Sequence, residues 1–370
     1  MGEFIYVHRL QILNSMRKLT TVILILISFN VFSTNYYWKN VNGNSTTLSN
    51  YATDTTSWTT ALAFPTSSDN LYFTYAAGNV TCTITGIINC LDWNCHGFRG
   101  TVVGNGTNFN VNIYGNVYLS GTMPITASTF LMQNASSATW YSNGISIGNF
   151  YKSGGSAEIK IMDNLSCIGM RIAIGTINLN GKPCTIQTFA ISDATNPSTL
   201  ITGAANVNFS ANGAIDFATN GSNFTFTGTG STLRFTAGNP AFKGNGKTFE
   251  NVYLEGTLTT GGMTISGNNT FTTLGTNSSV TRFIKFTDGS TQTVTNLSIN
   301  GTPGNRITLT GTGTAGWAIT KSTGITRVSF CNISYSTATG GEWMAGSNST
   351  SQGFNSGWKF LNSLLFSTGF

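Results

Sequence analysis

The stretch KTFENVYLEGT, Lys247 to Thr257, is the one on which the fold turns. NTFTTLGTNSS begins 22 residues later at Asn269, and QTVTNLSINGT begins 23 beyond that at Gln292. All three carry one frame: Thr, an apolar residue, any residue, Asn or Thr, then an apolar residue. A related frame, Asn followed by apolar, any and apolar or Cys, recurs at Asn164, Asn206, Asn251, Asn296 and Asn332. Its steps are 42, 45, 45 and 36 residues, so the first three are double steps of about 22. A fixed period of this length is the mark of a repeat architecture in which each unit roofs the next.

The local pattern says which architecture. NFTFTG, TLRFTAG, RFIKFTDG and NRITLTG alternate apolar and polar residues, which buries one face of a strand. Gly, Asn or Asp follows each run and supplies a turn. The expected fold is therefore all-β: a single-chain parallel β-helix, or β-solenoid, of about 22 residues per coil with aromatic end caps. One or more β-sandwiches are the alternative. Residues 1–33 read as an upstream extension and signal peptide, 34–74 as an N-terminal cap, 75–335 as the solenoid, and 336–370 as a C-terminal cap and tail. Roughly 12 coils at ~4.8 Å each give a rod on the order of 55–60 Å. The recurring Asn is expected to line up along one edge and to form a hydrogen-bonded ladder. The last step, of 36 residues, is expected to hold an irregular insert, GTPGNRITLTGTGTAGWAITKSTG. Trp58, Phe64, Tyr72 and Phe73 suit one end of the rod, with Pro65 stopping strand addition. Trp343, Phe354, Trp358 and Phe360 suit the other.

Composition agrees. Only 8% of the 370 residues are charged, against 40% hydrophobic, with 25 Phe and 43 Gly but 6 Pro. The net charge of +6 is thinly spread and forms no basic stripe, which argues against nucleic acid as a partner. MRKLTTVILILISFNVFSTNYYW, from Met16, has a basic start, an apolar run from Leu19 to Phe32, and the small residue Ser33 where cleavage would fall. That is the plan of a secretory signal, so no stable membrane span is expected after processing. The six cysteines, Cys82, Cys90, Cys95, Cys167, Cys184 and Cys331, allow a disulfide or buried thiols. The spacing of Cys82, Cys90, Cys95 and His96 does not match zinc knuckles.

IKFTDGSTQTVTNLSINGTPGNRITLTGTGTAGWAIT and the later VSFCNISYSTATGGEWMAGSNSTSQGFNSGWKF resemble the C-terminal pattern of repetitive β-solenoid proteins of phages and environmental bacteria. The matching elements are 286–295, 301–309 and the closing Gly357-Trp358-Lys359-Phe360. The opening YYWKN and FPTSSDNLYF are similar to the start of exported solenoids of Bacteroidota-like bacteria. Together these cover about half the chain. The resemblance implies a virion, tail-fibre or surface protein, and the signal plan favours the surface.

Chemistry-bearing residues are few. Hydrolysis of a glycan needs two carboxylates at a set separation. The best pairs are Asp193 with Asp216, which could stack on neighbouring coils, and Glu250 with Glu255. Asp288, in an Asp-Gly dipeptide, reads as a turn residue. His96 has no marked partners, and GTGTAG lacks the Lys-Ser/Thr ending of a phosphate loop. No catalytic, metal or cofactor site is expected. Trp317, Trp140, Tyr141 and Tyr151 are the candidate glycan-binding residues if their rings reach the surface, and each also fits core packing. Thr-x-Thr at 225–227 and 308–310 lacks the coil-by-coil register of a water-ordering array. Sequons at Asn44, Asn105 and Asn277 matter only in a eukaryotic host. The expected protein is an exported, non-enzymatic structural or adhesive solenoid: a matrix or filament subunit, an adhesin, or a virion fibre. It is expected to self-associate and to meet cell-surface glycan. A polysaccharide lyase or hydrolase, or a carbohydrate-binding module, is the alternative.

Overall fold

The computed structural model describes residues 15–18, 33–104, 109–121, 125–126, 128–237, 240–256, 262–276 and 282–361. The apolar leader run 19–32, the sequons at Asn105 and Asn277, and the tail from 362 lie outside the described residues. No described helix is long and apolar enough to cross a membrane.

The chain winds into a parallel β-solenoid of about 12 turns with about 22 residues per coil. Each coil has three faces. Glu158–Ile161 lies on the first; in Leu165–Ile172, residues 165–167 lie on the second and 169–172 on the third. The pairing skips Ile168, which is 51% exposed at the bend. Gly175–Asn178 then starts the next coil, paired in parallel with Glu158–Ile161. Corners turn sharply where the sequence writes Asn-Gly. Asn180 and Gly181 have φ of 53° and 70°, a region that Asn tolerates and Gly adopts freely.

The repeated frame superposes residue for residue. Thr248 pairs with Thr270 and Thr270 with Thr293; Phe249, Phe271 and Val294 form the next column. Asn206, Thr232, Asn251, Thr273 and Asn296 occupy one outward column of the second face. One residue on, Leu165, Cys184, Val207, Leu233, Val252, Leu274 and Leu297 stack inward, all 7% exposed or less. Burying each aliphatic side chain is worth about 1.5–3 kcal/mol. Like residues meet because the register is exact in period, so Phe209 stacks on Phe235 and Phe249 on Phe271 at 4.8 and 5.8 Å between centroids.

Two expectations are corrected. Asn332 is not in the Asn column: it lies on the third face, opposite Thr308. The supposed irregular insert is the cause, because it is a regular coil. Ile307–Gly311, Trp317–Thr320 and Ile325–Val328 supply its three faces. The Asn column is also not where amides chain together, since Asn251 Nδ2 donates to the Ser231 carbonyl at 3.3 Å. Side-chain amides join across coils elsewhere: Asn112 to Asn89 (2.9 Å), Asn70 to Asn35 (3.0 Å), and Asn269 to Gln292 (3.0 Å).

Both end segments take part in the ladders. Asn35–Trp38 pairs in parallel with Asn70–Tyr72, and Glu342–Ala345 with Trp358–Phe360. Tyr51–Ala52 runs antiparallel along the outer edge of Asn35–Trp38 and stops further parallel addition there. Trp58 packs on the core and Phe73 is buried in it, while Phe64 meets Tyr51 edge-on and stays half exposed. At the far end Trp343 and Trp358 are buried 5.4 Å apart, and exposed Phe354 stacks on Tyr335. All six cysteines are buried free thiols, and burial pushes each one's pKa up.

Candidate functional site

The first face carries the surface feature with chemical content. Four of its first five coils set a Tyr between two buried residues: Tyr36-Tyr37-Trp38, Leu71-Tyr72-Phe73, Val117-Tyr118-Leu119 and Trp140-Tyr141-Ser142, with Trp93-Asn94-Cys95 as the third coil. Period two sends the flanking residues inward and the central Tyr outward. Parallel register puts Tyr37, Tyr72, Asn94, Tyr118 and Tyr141 in one column. At ~4.8 Å per coil these five positions span about 19 Å along the rod. Each of the four tyrosines is half-buried. Tyr37 and Tyr72 stack with centroids 5.2 Å apart, and Tyr118 and Tyr141 meet tilted at 5.4 Å. The exposed His96 ring lies 5.2 Å from Tyr118, held by a turn in which its backbone N–H donates to Asn94 Oδ1.

A polar column runs beside the rings, two residues earlier on each strand: Asn35, Asn70, Asp92, Asn116, Thr139 and Lys160. Three neighbouring pairs in it are joined by hydrogen bonds. Asn70 Nδ2 donates to Asn35 Oδ1 (3.0 Å), the Asn116 amide N–H to Asp92 Oδ1 (2.6 Å), and the Thr139 N–H and hydroxyl to Asn116 Oδ1 (2.9 and 3.0 Å). Burial, then the charges of Tyr37 and Asp92, push the Tyr72 phenol up, so it stays a neutral donor and acceptor at physiological pH. Ordered aromatic surface beside fixed amides and hydroxyls can stack on one face of a ring while hydrogen-bonding its edge.

Of the residues singled out from sequence, Tyr141 belongs to this stripe. Tyr151 is half-buried on the third face, where its hydroxyl accepts from Ser192 Oγ at 2.9 Å. Trp140 and Trp317 are 0% and 2% exposed and present no face to a ligand. Trp140 is walled by Phe130 and Phe150 and donates from Nε1 to Ser142 Oγ. Trp317 lies 4.0 Å from Phe286, nearly parallel, and donates to the Ser334 carbonyl. Tyr37 and Tyr118 are not among the residues singled out from sequence, Tyr72 is read there only as an end-cap aromatic, and His96 only against zinc binding and catalysis. Their signal was available: Tyr72, Tyr118 and Tyr141 are separated by 46 and 23 residues, whole multiples of a coil.

Asp193, Asp216, Glu255 and Asp288 are engaged in structure. Asp216 aligns with Ala190, three residues out of step with Asp193. Asp193 accepts from Thr195 and Asn196 in an exposed turn, and the Thr195 hydroxyl and amide hold it at about 2. Asp216 pairs with Lys243 at 2.8 Å, and Glu255 with Arg234. Asp288 accepts the Gly313 and Ala315 amides across coils. Among the described residues no group of three His, Cys, Asp or Glu is placed to hold a metal ion.

No protein-family model, curated protein or solved structure matches the chain.

Proposed function

We propose that this chain is an exported structural or adhesive solenoid that holds a glycan along its first face. The observation that carries this reading is the outward column of tyrosines in coil register, flanked by its hydrogen-bonded polar column. A rise of about 4.8 Å per coil is close to the length of one extended pyranose, so successive sugars meet successive coils. The stripe holds one carboxylate, Asp92, and one cation, Lys160, at its end, and its other members are amides and hydroxyls, which suits an uncharged polysaccharide rather than a strongly acidic one. A surface, matrix or filament role follows from such a rod, with a virion fibre as its phage counterpart.

Self-association belongs to the same proposal. Leu62 is 97% exposed in the first coils and Phe354 79% exposed in the last, so each end offers apolar groups to a second copy. Electron microscopy of the purified chain should show rods longer than one molecule.

The binding test is retention of the protein on insoluble cellulose and chitin and on a soluble glycan panel. Binding that weakens in Tyr118→Ala with Tyr141→Ala supports the proposal. Equal retention of wild type and double variant on every glycan sinks it. Release of new reducing ends or unsaturated products by the wild type, lost in Asp193→Ala or Asp216→Ala, would instead establish the degradative enzyme.

A further inference from the structure

Thr34 opens the first coil and is clamped at both backbone groups. Its carbonyl accepts from the Asn70 N–H at 2.9 Å, and its own N–H donates to Asp69 Oδ1 at 2.9 Å. Asp69 is only 7% exposed. Its second oxygen accepts from the Thr66 N–H at 3.0 Å and the Thr66 hydroxyl at 2.6 Å. All these donors are neutral, and none of the three ion pairs among the described residues includes Asp69. A carboxylate this far from water is favoured by a cation beside it. Two titratable groups near it among the described residues are anionic when charged. They are the Tyr36 phenol, which burial and then Asp69 push up, and Asp92 on the next coil.

The sequence ends its leader plan at Ser33, and Ser33 and Thr34 are both exposed. We propose that the Ser33–Thr34 peptide bond is a processing site, and that the ammonium released on Thr34 is the counter-ion of Asp69. A leader endopeptidase adds water across this bond. Ser33 leaves as a carboxylate, and the Thr34 nitrogen becomes an amine that takes a proton at neutral pH. The same nitrogen that gave one neutral hydrogen bond then carries a charge and three N–H groups. Charge-assisted bonds of this kind are shorter and roughly twice as strong as neutral ones. Export thereby tightens the first coil, and the precursor keeps a looser end. This inference is independent of the glycan reading.

The signs of the pH dependence follow from the pair. Beside Asp69 the α-amino pKa lies above its ordinary value of about 7.7–8.0, so its contribution is complete below that range and is lost as pH rises through the raised value. Although burial opposes it, the Thr66 and Thr34 donors hold the Asp69 carboxyl below its usual range, so Asp69's own contribution is lost only in acid.

The test uses the full chain, exported from a bacterial host, and the same chain retained unprocessed in the cytoplasm. Sequencing of the exported product should read Thr34-Asn35-Tyr36 first. Its thermal midpoint should fall between pH 7 and pH 10 by about 2–4 °C more than that of the unprocessed chain. Asp69→Asn should remove that difference; if the variant does not accumulate, the two wild-type pH profiles decide alone. A product beginning elsewhere, or profiles that coincide, overturns the inference, while glycan retention of either form is read separately.

Discussion

Tyr118 and Tyr141 pack ring to ring outside the rod on consecutive coils, tilted by 38° with centroids 5.4 Å apart, because the residues before them, Val117 and Trp140, are paired inside it. The core register thus sets the spacing of the surface stripe. Replacing both tyrosines by Ala removes stacking surface without touching the core. The expected outcome is about a tenfold loss of glycan affinity, from roughly 0.5–1.5 kcal/mol per ring, with the thermal midpoint nearly unchanged. Affinity electrophoresis through glycan gels alongside differential scanning calorimetry checks both halves.

Leu274 and Thr273 make the converse comparison. Leu274 is 0% exposed between Val252 and Leu297, whereas Thr273 points outward between Asn251 and Asn296. Leu274→Ala should cost about 2–5 kcal/mol through lost burial and the cavity it leaves. Thr273→Ala should stay within about 0.5 kcal/mol. Urea titrations of the two variants would show whether the frame's inward and outward positions are assigned correctly; equal losses would overturn the assignment.

The architecture was legible because a solenoid repeats its physics. Asn206, Asn251 and Asn296 fall in one column as their spacing requires, and the apolar residue after each points inward. Asn332 escaped because motif matching cannot tell which of three faces a short strand occupies. The candidate site was half legible for a related reason. Trp140 and Tyr141 are adjacent, so at most one can face outward, yet the sequence admits either until a neighbouring coil fixes the phase. Val117-Tyr118-Leu119, 23 residues back, fixes it. Trp317 was misleading because Trp in a turn-rich segment reads as exposed, whereas that segment is a full coil with its own core position. The Thr34–Asp69 contact joins residues 35 apart and carries no periodic mark in the sequence.

Asp216 and Lys243 form an ion pair between adjacent coils of the third face. Burial works against the Asp216 carboxylate, but Lys243, Thr219 and Ala218 outweigh it and hold its pKa at about 2. A depressed carboxyl contributes stability that is complete above its ordinary value of about 3.8 and is lost as pH falls through about 2. Because the Lys243 side chain is 41% exposed, solvent screening limits the pair to about 1 kcal/mol at most. Asp216→Asn should therefore cost little at pH 7 and flatten the acid limb between pH 4 and 2. Acid titration followed by circular dichroism checks it, and an unchanged acid limb would count against the pair.

Lys152 is 0% exposed, and its ammonium points at the carbonyls of Asn134, Gly154 and Gly155 at a corner between coils. These carbonyls satisfy its protons but carry no countercharge, and burial pushes its pKa down from the usual 10.5 to about 8. Between those two values the unfolded chain binds the proton and the folded chain has released it, so stability rises with pH across that window. Below about pH 8 the folded protein instead bears the cost of a buried cation. Lys152→Met keeps the apolar stem and removes the titration, although it leaves the three carbonyls without their donor. Relative to that variant, the wild type should gain stability steadily from about pH 8 to 10.5, and the difference between them should be flat from pH 5 to 7. Thermal midpoints of both proteins measured across that range decide the matter: parallel curves throughout would mean that the carbonyls hold Lys152 fully charged and outweigh its burial.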